Sequence, residues 1–314
     1  MSKVDIIIVN WNSGYQLSEV VSSIIKYHHN LVSSVVVVDN ASIDDSLVLI
    51  EQFHDLPFHF EIIRNNFNRG FSEACNQGAM KAVGEYLLFL NPDTELFENS
   101  LTAPIDYMDD IQSKKIGIAG IQLIDRFENI SKSCARFPTL LTLIFQATGL
   151  NHLNVFNKFN TQMVDWSHDK TAVVDHVIGA FYLIRRQLFE NLSGFDKRFF
   201  VYLEDLDLSY RAYQAGWLTV YLVEASAFHA GGGTSGQVMD MRLFYSLRSR
   251  LLYGFKHFSF FGAWTLVTIT LVIEPFARIF LAIFQNNSKG VRHTCSAYSM
   301  LWHDLISIIR KSRH

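Results

Sequence analysis

The chain has 314 residues and a formal net charge of −3, with 49% of its residues hydrophobic, 14% aromatic and only 18% charged. It is long enough to bury a substantial core in one large domain or two small ones. The charge is uneven: from Arg242 onward ten Lys and Arg stand against two Asp and Glu, +8, leaving 17 against 28, or −11, for residues 1–241.

The first hundred residues alternate short apolar runs with helical patterns. VDIIIVN (4–10), SSVVVVD (33–39), FEIIRN (60–65) and EYLLFLN (85–91) read as strands. Each is nearly continuous in apolar residues, as parallel strands covered on both faces require. Helix-like segments lie between them near 15–27, 44–53 and 71–83. This order predicts an α/β fold: a Rossmann-like, doubly wound, mostly parallel sheet with ligand sites at the carboxyl ends of its strands. Those ends are polar. Asn10-Trp11-Asn12, Asp39-Asn40-Ala41-Ser42 and Asn91-Pro92-Asp93-Thr94 collect along one edge and outline a cleft.

Further on, IGIAGIQLI (116–124) and VVDHVIGAFYLI (173–184) read as strands, and 135–170 as a loop-rich insertion facing an acceptor. A helix is expected from near Asp205 to a glycine cap at Gly216. LTVYLV (218–223) is a last strand before HAGGGTSG (229–236), a loop with no Gly-Lys-Ser/Thr ending, which reads as a flap closing over a ligand.

The tail is apolar and basic. Residues 258–273 are uncharged but shorter than the roughly 20 residues of a spanning helix. Glu274, Pro275 and Arg278 then interrupt the run before IFLAIF resumes. Three readings stay open: a kinked span with Glu274 and Arg278 paired at i,i+4, an interfacial helix pair, or an ordinary packing helix. In the second, Arg248, Arg250 and Lys256 face anionic headgroups. Basic residues interleaved with aliphatic runs argue against nucleic acid and for a membrane surface. Cys75, Cys134 and Cys295 lack metal-ligand spacing, and MSKVDIIIVNWN does not resemble a signal peptide, so a reduced cytoplasmic setting is expected.

FFVYLEDLDLSYR (199–211) places Glu204, Asp205 and Asp207 directly behind an aromatic run. Acidic residues favour the first turn of a helix, and Asp207 and Arg211 have ion-pair spacing. One or two acids suffice for capping, so a functional carboxylate competes with that reading. In NPDTE (91–95), Asp93 can hold a divalent ion together with ligand phosphates, with Asn91 as a neutral neighbour. Alternatively, Asp93 or Thr94 caps a helix from 96 onward. Asp39 can accept hydrogen bonds from a uracil or thymine N3–H or from ribose hydroxyls, or is simply a turn residue. His229 is a lone histidine in a Gly-rich loop.

Taken in order, IIIVNWNSG, VVVVDNASIDDS, NFNRGFSEACNQG, LLFLNPDTEL, GFDKRFFVYLEDLDLSYRAYQAG and FHAGGGTS resemble the family 2 glycosyltransferases of GT-A fold, most of all the rhamnosyltransferase-like enzymes of cell-surface polysaccharide synthesis. The resemblance covers about residues 4–236. It implies a GT-A domain over 1–240 and a helical, membrane-associated tail over 241–314, at the inner face of the cell membrane. It implies that Asp39 binds the nucleotide, with Asn10, Asn12, Asn40 and Asn91 along the same edge and Gly70, Phe71 and Asn76 at a donor-side helix start. Asp93 and His229 are then ligands of Mg²⁺ or Mn²⁺, although Asn91 replaces the first acid of the family's Asp-x-Asp motif. Asp205 is the general base of an inverting transfer, walled by Phe200 and Tyr202, while Glu204 orients the acceptor or the base. Asp207 caps the helix. The donor is expected to be dTDP-rhamnose, with a UDP-hexose as the alternative, and the acceptor a glycan or lipid-linked sugar.

Two other enzyme classes fit poorly. A sugar nucleotidyltransferase needs a Gly-rich loop with Arg and Lys after the first strand, where this chain has NWNSGYQLS; an NAD enzyme needs G-x-G-x-x-G there. A non-catalytic sugar-nucleotide-binding module remains the rival of another class, but it would be expected to lose Asp93, Asp205 or His229.

Overall fold

The computed structural model describes residues 4–231 and 239–311. The chain divides into two compact units, one of Met1–Ala135, Trp166–Lys197 and Glu204–Thr234, the other of Arg136–Asp165, Arg198–Leu203 and Ser235–His314. Part of the expected insertion, 136–165, therefore groups with the tail.

The strands of the first unit are β1 (Val4–Asn10), β2 (Val32–Asp39), β3 (His59–Arg64), β4 (Tyr86–Leu90), β5 (Thr94–Leu96), β6 (Ile116–Ile124), β7 (Cys134–Ala135), β8 (Ala172–Val174), β9 (His176–Val177), β10 (Phe181–Arg185) and β11 (Leu218–His229). Its helices are α1 (Gln16–His28), α2 (Ser46–Ile50), α3 (Phe71–Ala79), α4 (Thr102–Asp109), α6 (Arg186–Asn191) and α7 (Glu204–Gln214), with α5 (Leu140–Thr148) falling in the second unit. One sheet runs β3-β2-β1-β4-β10-β6-β11-β5, with β8 also on β11, and β7 and β9 pair separately. The β3-β2-β1-β4 half is parallel. β10 then enters antiparallel between β4 and β6, and β6 and β11 are parallel again.

β1 and β4 are buried over their whole length, which accounts for their unbroken apolar runs. α1 covers the sheet with Leu17, Val20, Val21 and Ile24, all fully buried. Their i, i+3, i+4, i+7 spacing makes one helical stripe, and each burial contributes about 1.5–3 kcal/mol. On α3, a Cβ at Gly78 would stand 2.6 Å from Ile7 Cγ2, so glycine there sets how closely α3 lies on β1.

The structure corrects three sequence expectations in this unit. Residues 94–96 are not the start of a helix but strand β5, antiparallel to the end of β11, and α4 begins only at Thr102. The run 173–184 is not one strand: it splits into β8, β9 and β10, and the break before β10 leaves the Gly179 N–H to meet Asp205. His229 is the last residue of β11 rather than part of the Gly-rich loop. The expected flap over 229–236 lies outside the described residues beyond Gly231.

In the second unit, α8 (Met239–His257), α9 (Phe260–Thr268), α10 (Glu274–Phe284) and α11 (Ser288–Lys311) follow one another, with a π-helical stretch at Ile269–Ile273 joining α9 to α10. The helix Phe260–Phe284 is therefore continuous over 25 residues, longer than the sixteen-residue limit set by Glu274, and its most apolar 18-residue stretch has a mean hydropathy of 2.0. Length and composition would let it cross a membrane, but 39% of its most apolar stretch is buried in the protein. Phe260, Trp264, Val272, Phe276, Phe280 and Phe284 remain exposed at fourfold spacing.

Two basic residues expected to face headgroups are instead buried. Arg248 donates from Nε to Asp304 Oδ2 at 2.8 Å and from a terminal nitrogen to Arg198 O at 2.8 Å. Arg250 pairs with Glu274, which is fully buried and also accepts from Arg278 Nε at 2.8 Å. A buried guanidinium needs a carboxylate partner, and long-range partners are invisible to residue spacing.

Candidate functional site

At the carboxyl ends of β1 and β2, Asn10 Nδ2 donates to Asp39 Oδ1 at 2.8 Å and to Ser46 Oγ at 2.8 Å, and both Asn10 and Asp39 are buried. Asp39 Oδ2 accepts from Ser42 N at 3.2 Å. Asn12, in the left-handed region at φ 53, accepts from Ile43 N at 2.8 Å. Asp44 accepts from Gly14 N at 2.7 Å and from Ser46 Oγ at 2.6 Å, tying α2 to the loop after β1. Asn40 Nδ2 donates to Gly70 O at 3.1 Å, which joins this edge to the start of α3. The polar strand ends thus form one connected network, in which Ser42, Asp44 and Ser46 take part alongside the expected residues.

Asn76 serves differently. Its Nδ2 donates to Phe195 O at 2.8 Å and its Oδ1 accepts from Phe195 N at 2.9 Å, so both ends of the amide brace α3 against 194–195. Phe71 makes an edge contact with Phe195, ring centroids 6.5 Å apart.

Asp93 and His229 are far apart in the chain and meet through strand pairing. β5 pairs antiparallel with the end of β11, Thr94 opposite His229, and Ala230 N donates to Asp93 O at 3.0 Å. This ladder sets His229 Nε2 3.4 Å from Asp93 Oδ1. The turn before β5 is anchored by Asn91 N, which donates to Ala180 O at 3.0 Å. One carboxylate and one imidazole suit a divalent ion that takes its remaining ligands from phosphate and water. Among the described residues no cluster of three or more His, Cys, Asp or Glu offers a fuller cage.

One residue away, Gly179 N donates to Asp205 Oδ2 at 2.7 Å. A Cβ at Gly179 would lie 3.1 Å from that oxygen, so glycine permits the close approach. Asp205 Oδ1 lies 2.8 Å from Leu206 N, and His176 Nε2 stands 3.6 Å from Oδ2. Neither Gly179 nor His176 was anticipated. A polar residue inside the apolar run VVDHVIGAFYLI was the available signal. The three acids have three environments. Asp207, fully buried, accepts from Arg211 Nε at 2.8 Å rather than only capping the helix. Glu204 is buried, and its Oε2 has no hydrogen-bond partner among the described residues. Burial, with Asp205 alongside, pushes the Glu204 carboxyl well above the usual range. Phe200 and Tyr202, expected to wall Asp205, belong to the second unit, where Phe200 stacks on Tyr245 with centroids 4.5 Å apart.

The family description "Glycosyl transferase family 2" matches residues 5–129, and "Glycosyl transferase family group 2" matches 87–313. The chain is a family 2 glycosyltransferase. Among curated proteins, it is 25% identical to the N-acetylglucosaminyl-diphospho-decaprenol L-rhamnosyltransferase of Mycobacterium tuberculosis over 65% of this chain and 68% of that one. It is 33% identical to rhamnosyltransferase WbbL of Escherichia coli over 48% of this chain and 52% of that one. The fold is similar to that of the mannosyltransferase PcManGT from Pyrobaculum calidifontis, solved in complex with GDP-Man and Mn²⁺, with a TM-score of 0.58 at 14% identity over 96% of this chain and 87% of that one. These likenesses establish a family 2 glycosyltransferase of GT-A fold that is similar to rhamnosyltransferases.

In this glycosyltransferase the raised Glu204 carboxyl has a measurable consequence. The folded chain keeps a proton that the unfolded chain releases above about 4.5, so stability from this group falls as pH rises from there toward the raised value. Glu204→Gln keeps the shape and removes the titration. Thermal melts of the variant from about pH 5 to about pH 8 are expected to lose that downward slope and to lie at or above the parent at the alkaline end. A variant that melts lower than the parent throughout would show that Glu204 is held as a bonded carboxylate.

Proposed function

We propose that this enzyme is an inverting, metal-dependent glycosyltransferase that moves rhamnose from dTDP-rhamnose to a lipid-linked glycan acceptor at the inner face of the cell membrane. The observation that carries the reading is the Asp93–His229 pair at 3.4 Å, on a turn whose Asn91 N–H donates to Ala180 O, next to the Gly179 N–H that supports Asp205. The Asn10–Asp39 network is the nucleotide edge: Asp39 Oδ1 and Oδ2 already accept N–H donors, and base N3–H or ribose hydroxyls extend the same pattern. Asp93 and His229 would hold Mg²⁺ or Mn²⁺ beside the donor diphosphate. Such an ion, when bound, neutralises charge developing on the departing diphosphate.

Asp205 supplies the base. The acceptor hydroxyl oxygen attacks the anomeric carbon from the face opposite the diphosphate, a new C–O bond forms as the old one breaks, and the hydroxyl proton passes to the Asp205 carboxylate. The nucleoside diphosphate leaves, and the anomeric configuration inverts. The rhamnosyl donor and the polyprenyl-diphosphate acceptor follow the named activity of the mycobacterial relative. The exposed stripe of Phe276, Phe280 and Phe284, with exposed Lys289 and Arg292 beyond it, suits an anionic bilayer surface where such an acceptor resides.

Calorimetric titration of dTDP and UDP, each with and without Mn²⁺, tests the donor side. Binding of dTDP that requires the ion, and falls at least tenfold in Asp93→Ala, is expected; equal binding without the ion, or by the variant, removes the metal role, and a preference for UDP redirects the donor. For the base, Asp205→Asn is expected to bind dTDP as the parent does while transfer from dTDP-rhamnose to a polyprenyl-diphospho-N-acetylglucosamine falls by about three orders of magnitude or more. Parent-level transfer by that variant would end the assignment. For the membrane, Phe276→Ser/Phe280→Ser should lose most of the co-sedimentation of the parent with vesicles containing phosphatidylglycerol. Undiminished pelleting would rule out this face.

A further inference from the structure

Behind Asp205 lies a buried polar chain that donor and acceptor binding leave unused. His176, on β9, is 3% exposed, and its Nδ1 stands 2.9 Å from Ser209 Oγ while its Nε2 faces Asp205 Oδ2 at 3.6 Å. Ser209 Oγ lies 2.9 Å from the hydroxyl of Tyr182, itself buried on β10. Asp205 and Ser209 are four residues apart, on one face of α7, so a single helical turn presents both to the imidazole.

The chemistry of these groups orders the protons. Burial lowers the His176 pKa, and the attraction of Asp205 and Asp175 offsets only part of it, so the ring is neutral and carries one proton. A carboxylate only accepts, so that proton belongs on Nε2; on Nδ1 it would leave two lone pairs face to face. Nδ1 then accepts from the Ser209 hydroxyl, whose oxygen accepts from Tyr182. Every donor runs the same way, from Tyr182 through Ser209 and His176 to Asp205. The facing groups are Asp205 and Ser209 from α7, Tyr182 from β10 and the adjacent Asp175; across β7 the residue paired with His176 is Ala135, which carries no charge. The 3.6 Å gap exceeds a formed hydrogen bond, and contacts of this kind tighten when a site is occupied.

We propose that His176 is a positioning residue for the base: its Nε2–H, fixed in tautomer by Ser209 and Tyr182, aims and steadies the Asp205 carboxylate. This rests on the reading of Asp205 as the base. Gly179 N–H occupies Oδ2 and the imidazole faces that same oxygen, so Oδ1, which accepts from Leu206 N, is the oxygen that receives the acceptor proton.

The test follows the Asp205 carboxyl directly. Full-length protein labelled with ¹³C at aspartate side chains is titrated by NMR, with the Asp205 signal assigned by its loss in Asp205→Asn. In His176→Phe the Asp205 titration, and the acidic limb of kcat/KM for transfer from dTDP-rhamnose, are expected to move up by about one pH unit, a tenfold loss of rate on that limb. His176→Gln, whose amide N–H can face Oδ2, restores most of the shift, and Ser209→Ala, which frees the tautomer, gives part of it. Affinity for dTDP stays unchanged. If His176→Phe does not fold, the contrast between Ser209→Ala and His176→Gln carries the test. An Asp205 titration that coincides in the parent and the folded variants overturns the proposal. Full transfer by Asp205→Asn would instead end the base reading while leaving the carboxyl coupling to His176 measurable, so the two failures are distinct.

Discussion

Three residues of antiparallel ladder, Ala227–His229 on β11 against Thr94–Leu96 on β5, carry the candidate site. A histidine 136 residues downstream of Asp93 reaches it because β11 pairs with β6 along most of its length and, at its end, with β5 on its other edge. The pairing is geometrically demanding. A one-residue slip in register turns every side chain to the opposite face, and His229 would then point away from Asp93. The buried core between them, with Leu96, Leu123, Ala225 and Ala227 packed in one cluster, holds that register. Hydrophobic burial, which is non-directional, thus secures a polar contact that is directional.

The same sheet solves an electrostatic problem at the start of α7. Three carboxylates within four residues would repel one another in a partly desolvated setting. Each finds a different solution: burial raises the Glu204 carboxyl, Asp207 is matched by Arg211, and Asp205 meets the N–H groups of Gly179 and Leu206. The Gly179 contact depends on the break between β9 and β10. Had 173–184 run as one regular strand, its N–H groups would have been spent on ladder pairing. The irregularity is thus what supplies a donor to the carboxylate.

Much of this was legible in the sequence, and the reasons are physical. β1, β2 and β4 are buried on both faces, so their apolar runs stand out against any helix, and polar residues at their carboxyl ends mark the edge where ligands bind in such sheets. β5 was missed because three residues carry almost no periodicity, and its strand character comes from a partner more than a hundred residues away. Asn76 was read as a donor-side residue, and what fixes it is a pair of bonds to Phe195. His176, Ser209 and Tyr182 converge from two strands and a helix, and no spacing rule links them. Local pattern reveals elements and strand ends; it does not reveal which distant groups those elements bring together.

In the second unit, Glu274 decides how the long apolar helix behaves. It is fully buried and engaged by both Arg250 and Arg278, inside a 25-residue run otherwise able to cross a bilayer. Breaking a buried pair by withdrawing one partner costs about 3–5 kcal/mol, so turning this helix out of its own unit to cross a bilayer alone would be expensive. The π-helical turn at Ile269–Ile273 shifts the helical phase just before Glu274, so the polar side faces α8. The opposite side keeps its exposed phenylalanines. One face of the helix is thus fixed by ion pairs within its own unit while the other stays apolar and exposed, the amphipathic arrangement that length and mean hydropathy alone do not reveal.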